Sequence, residues 1–260
     1  MRDFLLAPFF SLFSPLFYRR LFNKPLSRGF LYLAYLSLWV TLGAAVFFRS
    51  ASLPAADDLI QWLGKNLPEV LVTKTGLQMS IEKPLLLTHP RWGEILYLDP
   101  TTDSPKGEDL DKALVVITRQ KAAYRNPAGG DHRIQDLVPQ SPQKNWQDFL
   151  LTGEKIILFW TQLKPILTIL FLIAAFIGTY LWKLAAGLFY SLAALFLNLF
   201  RKERLSYGRL LNVTFFALTP ATFLQLAAGI LPFPVNFPLA FIVTGLYLAL
   251  GILGTQDRNI

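Results

Sequence analysis

Cysteine is absent from the 260-residue sequence, which removes disulfides, thiolate nucleophiles and most structural zinc sites at once. Any part folded outside a membrane is therefore held by packing alone. Histidine is nearly absent too. His89 in LTHPRW and His132 in GGDHR belong to no HExxH or other metal spacing, and both are expected as solvated loop residues. The sequence contains no GxSxG, no GxxxxGK[ST], and no GxGxxG after a strand-like run, so hydrolase, nucleotide hydrolase and dehydrogenase readings have no support. The acidic run Asp99, Asp103, Glu108, Asp109 and Asp111 lacks EF-hand spacing and is interrupted by Lys106 and Lys112, so it reads as a solvated loop. No catalytic residue, cofactor or metal ligand is assigned, and the expectation is a protein that is not an enzyme.

Charge is scarce where the chain is most apolar. The stretches Phe30 to Phe48, Pro165 to Phe200, Leu210 to Leu231 and Pro238 to Leu253 contain one charged residue, Lys183. Such runs match the roughly 20 residues that cross a bilayer core. Lys183, beside Tyr180 and Trp182, is expected near the inner interface, where long cationic side chains snorkel. With no ionisable group assigned to the middle of a span, a proton-coupled pump is disfavoured.

What the chain has instead is 53% hydrophobic residues, a mean hydropathy of +0.40 and a net charge of +8. The distribution of that charge argues against nucleic acid as a partner. Arg2, Arg19, Arg20, Lys24 and Arg28 precede the first apolar run against Asp3 alone, and Arg201, Lys202, Arg204 and Arg209 follow the second against Glu203. Residues 51–155 carry twelve Lys or Arg and fourteen Asp or Glu. By the positive-inside rule the basic segments are cytoplasmic and 51–155 lies outside.

The expected fold is an α-helical polytopic membrane protein of about four transmembrane helices, with a small α+β extracytoplasmic domain between helices 1 and 2. An aromatic and basic interfacial segment fills 1–29, broken by Pro8 and Pro15. Helix 1 covers 30–50. The outer domain, 51–155, opens with an amphipathic helix from Pro54 to Leu67. A hairpin turning at Lys74-Thr75-Gly76 follows, then strands at Glu94 to Leu98 and Ala113 to Thr118. A helix from Trp146 to Thr161 leads down to the membrane surface, and an interfacial segment with a long helix 2 occupies 156–200. That run could cross once or twice; one long helix is favoured because it keeps the basic loop 201–209 inside. Helices 3 and 4 are 210–231 and 238–254, joined by LPFPVNF, with both termini cytoplasmic.

Polar residues in the late spans, chiefly Asn212, Thr219 and Gln225 around Pro220, read as interhelical hydrogen-bonding groups or as a path for a polar substrate. Arg19, Arg20, Arg201, Lys202 and Arg204 read as topology determinants and lipid-headgroup contacts. Membrane lipids, and another membrane protein, are the expected partners. FSPLFYRR, SRGFLYLAYLSLW, LPEVLVTKTGLQMSIEKP with ILYLDPTTD, and RLSYGRLLNVTFFALTPATFL together resemble the bacterial DUF1189 membrane proteins. The last of these is also similar to Yip1-type helical membrane proteins. The resemblance implies a strand-rich outer domain over Gly76 to Pro84 and the Asp99 turn, a kinked span at Thr219-Pro220, and no catalytic role. The leading expectation is a non-enzymatic accessory or scaffold component of the bacterial cytoplasmic membrane. The second is a transporter or lipid-handling protein for a neutral or amphipathic substrate, for which replacing Asn212 and Gln225 by leucine would be the discriminating test.

Overall fold

A computed structural model of the chain describes residues 4, 6–125, 132–137, 147–230 and 237–253. The expected loop at 126–131, Trp146, most of LPFPVNF and the polar tail lie outside the described residues. The chain divides into two compact units, Met1–Arg49 with Thr168–Ile260, and Ser50–Leu167.

The first unit is helical. Pro8 and Pro15 sit in the first turns of α1 (Ala7–Phe13) and α2 (Pro15–Leu21), where a missing N–H costs nothing. Ser14, extended at φ −127°, separates the two helices. They are not merely an exposed anchor. The Tyr18 hydroxyl donates to Ser11 O at 2.9 Å, the Tyr247 hydroxyl donates to Leu12 O at 3.1 Å, and Ala7, Ser11, Tyr18 and Leu21 are buried. Phe9 and Phe13 remain exposed.

Helix α3 (Leu26–Phe47) leads through a π-helical turn, Phe48–Ser52, into α4 (Leu53–Asn66). The turn ends two residues before Pro54, which has no N–H to continue the i→i−4 ladder. The long run forms one helix, α6 (Gly153–Asn198), uninterrupted through Pro165. It has no turn that would allow a second crossing. Helices α7 (Tyr207–Ala217) and α8 (Thr219–Ile230) meet at Leu218. Pro220 cannot donate to Phe216 O, and the Thr219 hydroxyl does so instead at 2.7 Å. Helix α9 is Phe237–Leu253.

Every residue from Leu210 to Ala217 is buried, so α7 is the central helix of this unit. By contrast, none of the most apolar stretch of α6 is buried. Among the described residues three helices are long and apolar enough to cross a membrane, Leu26–Asn66, Gly153–Asn198 and Tyr207–Ala227. The apolar part of α9, Leu239–Ile252, is shorter.

The second unit holds two sheets. Strands β1 (Val70–Thr73) and β2 (Gly76–Met79) form the expected hairpin. Gly76 has φ 143°, and a β-carbon there would lie 2.7 Å from Arg119 O, so the turn favours glycine. Strand β8 (Phe149–Leu151) returns to pair with β1, giving the order β2-β1-β8. The other sheet runs β3 (Leu85–His89), β4 (Gly93–Asp99), β5 (Val115–Thr118), β6 (Lys121–Arg125), β7 (His132–Asp136). Its β4–β5 pair is parallel, and the short helix α5 (Gly107–Leu110) lies in the connection. Alternation sends Leu87, Leu96 and Leu98 to one face, packed with Trp62 and Leu63 of α4 and with Leu67 just beyond it. Tyr97, Val116 and Ala123 face the other way, with Leu110.

Helix α6 begins at Gly153, not near Trp146, because residues 149–151 are drawn into the sheet. Its first turns run antiparallel to α4. Asp57 accepts hydrogen bonds from Lys164 Nζ at 2.6 Å and Trp160 Nε1 at 2.7 Å. These hold its carboxyl below the usual carboxylate range, the lysine contributing most. A depressed folded pKa means that this stabilisation is complete above the unfolded value of about 3.9 and is lost as pH falls through the lower folded value. Asp57→Asn is therefore expected to cost about 1 kcal/mol at pH 7 and to flatten the acid limb of thermal unfolding. Melting in detergent from pH 7 to 3 measures this, and a variant with an unchanged acid limb would exclude the clamp.

Candidate functional site

Two cavities in the helical unit bring together residues distant in sequence. The first, of about 390 Å³, is lined by Phe10, Phe17 and Phe216 together with Arg20, Lys24 and Arg28. Proline places it there. Pro15 starts α2 and aims Phe17 at α7, where its ring meets that of Phe216 edge-on at 5.6 Å. Pro25 caps α3 in extended conformation, so Lys24 and Arg28 flank the turn. The 201–209 loop comes to the same end, because the Arg201 guanidinium lies 5.3 Å from the Phe22 ring and donates to Ile252 O. Asn198 fastens that loop through paired hydrogen bonds with Leu205, each 3.0 Å.

Arg201 is thus engaged in holding the loop, whereas Arg19, Arg20, Lys202 and Arg204 are exposed. Lys24 and Arg28 were visible in the sequence only as part of a charge count. Their convergence with Arg20 depends on the turn between α2 and α3, which no periodicity reveals.

The second cavity, of about 330 Å³, lies between α6, α8 and α9 and is lined by Trp182, Lys183, Phe189, Leu218, Thr222 and Gln225, among others. Lys183 does not snorkel. It is 7% exposed, and its ammonium donates to Thr222 Oγ1 at 2.6 Å. Halfway along the 165–200 run, its side chain packs against α8.

The polar residues expected to cluster around Pro220 are separated. Asn212, fully buried, donates through Nδ2 to Leu21 O at 3.1 Å and Lys24 O at 3.3 Å. It therefore ties α7 to the end of α2. Its Oδ1 is buried without a hydrogen-bond partner among the described residues and sits where a β-carbon on Gly29 would come within 2.6 Å. Thr219 accepts the Tyr32 hydroxyl at 2.5 Å, its own proton being used on Phe216 O. Pro220 is buried, and Gln225 lines the second cavity. Replacing Asn212 and Gln225 together would mix a packing defect with a change at a cavity, so it cannot separate transport from scaffolding.

In the second unit, His89 is not solvated. It ends β3 at 3% exposure, accepts the Arg91 backbone N–H on Nδ1 at 3.1 Å, and meets Trp62 edge-on. Asp99 and Asp109 are also buried. Burial pushes the Asp99 carboxyl up, but hydrogen bonds from Thr101 and Thr102 and the charge of Lys106 outweigh it and hold the group below its ordinary range. This turn satisfies its own carboxylate. Among the described residues no three His, Cys, Asp or Glu side chains converge to hold a metal ion.

Neither curated proteins nor solved structures show a match to the chain. The model of one family, described as a protein of unknown function (DUF1189), matches residues 8–252. With nearly its whole length covered, the chain belongs to the DUF1189 family.

Proposed function

We propose that the chain is a non-enzymatic accessory protein of the bacterial cytoplasmic membrane that binds anionic lipid at the basic end of its helical unit. On this reading both termini are cytoplasmic, residues 51–155 lie outside the cytoplasm and meet another protein or envelope ligand, and the late helices share a Yip1-type likeness. The charge rule supports that orientation. The observation that carries the proposal is the first cavity. Arg20, Lys24 and Arg28 share its lining with Phe10, Phe17 and Phe216, and none forms an ion pair with a carboxylate among the described residues. Cations over an apolar recess suit a phosphate headgroup with the first carbons of its acyl chains.

The test is lipid analysis of full-length protein purified from membranes of mixed phosphatidylglycerol and phosphatidylethanolamine. The wild type is expected to carry phosphatidylglycerol several-fold above the bulk ratio. The triple variant Arg20→Gln, Lys24→Gln, Arg28→Gln is expected to return to it. Unchanged enrichment in the triple variant would remove this function from the cavity.

A further inference from the structure

We infer that the cavity around Lys183 is a separate binding site for an amphiphile carrying a single oxyanion, carboxylate or phosphodiester, on an acyl chain. An ammonium deep among apolar helices is costly unless it is neutralised or paired. Lys183 has three N–H donors, and among the described residues its one acceptor is Thr222 Oγ1. That hydroxyl gives its own proton to Leu218 O at 2.9 Å, so Thr222 offers the ammonium a lone pair and no charge. The one carboxylate among the described residues of the helical unit is Glu203, in the basic loop at the far end of α6. No carboxylate lies within 4.0 Å of the Lys183 ammonium among the described residues. A bound anion would supply the charge that keeps this lysine protonated where the described residues supply none.

The surroundings define that molecule. Trp182, Phe189, Leu218 and Ala221 provide apolar walls, and Gln225, exposed at the margin, provides one amide able to donate and accept. About 330 Å³ is at the small end of ligand cavities, enough for a headgroup and part of a chain. One cation matches one negative charge, since a second would be left buried without a partner. This site differs from the basic groove in its depth and in having a single charge.

Delipidated full-length protein in a neutral maltoside detergent would be titrated with three brominated probes of equal chain length: dibromostearate, its lysophosphatidylglycerol ester and its neutral monoacylglycerol. Quenching of tryptophan fluorescence, to which Trp182 contributes from the cavity wall, reports occupancy. At least one anionic probe is expected to bind tenfold or more tightly than the neutral one. The order of the two anions tells a free fatty acid from a phospholipid. Lys183→Met should erase the preference while melting at or above the wild-type temperature without ligand. Ala221→Phe, which fills the cavity and keeps the charge, should weaken binding of all three probes. The Arg20, Lys24, Arg28 triple variant should retain the preference, so failure of the lipid-groove proposal would leave this one standing. Equal binding of anionic and neutral probes by the wild type, or a preference that survives Lys183→Met, would overturn it.

Discussion

Gly153→Val is expected to disrupt the 50–167 unit more than any other single substitution in it. A β-carbon at Gly153 would overlap the Gly64 carbonyl, and the backbone of α4 is what it meets. Backbone cannot rotate away as a side chain tip can, so the helices must part. Their separation has further consequences nearby. Strand β8 ends two residues before Gly153 and pairs with β1, and the Asp57 clamp to Trp160 and Lys164 lies further along the same two helices. Alanine in place of glycine would ordinarily favour a helix by up to about 1 kcal/mol, so even Gly153→Ala tests the sign. We expect Gly153→Ala to cost about 3 kcal/mol and valine to leave β1 and β8 unprotected against hydrogen exchange. Gly64→Ala should be milder, because its methyl first meets the Ile157 side chain at 2.7 Å, which can shift. If Gly153→Ala melts with the wild type and keeps its exchange pattern, the close crossing is not what holds this helix pair together.

The parts of the fold that were legible in the sequence are those governed by period. Leu59, Ile60 and Leu63 at helical spacing mark α4 and alternation through Leu77 and Met79 marks the first hairpin, whereas 210–231 reads as one span whose kink at Thr219-Pro220 is implied only by the family resemblance. Strands β3, β6 and β7 escaped because their residues show little apolar–polar alternation, although their partners are near in sequence, and β8 escaped because its partner β1 lies far away. Residues 85–89 follow Pro84 and read as an apolar stub until β4 pairs with them, and 149–151 become a strand only through β1. The same is true of the candidate sites. Arg20 was identifiable from its charge, but the groove also needs Phe17 against Phe216, a contact across about two hundred residues. The aromatic neighbours of Lys183 say nothing of its burial, which depends on α8 presenting Thr222 to it.

Enlarging either glycine beside Phe215 is expected to have a comparably large effect on the helical unit. Phe215 is fully buried in α7. A β-carbon on Gly29 of α3 would come within 2.8 Å of its ring, and one on Gly187 of α6 within 2.6 Å. The ring therefore fills a slot between two helices that only glycine leaves open. Gly187→Leu inserts four carbons where there is no room, and overpacking of this kind costs about 1–3 kcal/mol even when partly relieved. Here relief is blocked, since Gly29 closes the other side of the ring. Phe215→Ala empties the slot and should cost about 3–5 kcal/mol. The two defects are complementary in volume, so they should not add. The double variant Gly187→Leu, Phe215→Ala is expected to melt above either single variant in detergent, a coupling that residues in direct contact show. Additive losses in that cycle would mean that α6 and α7 do not meet at Phe215, and the wall that carries Lys183 towards Thr222 would lose its anchor on the central helix.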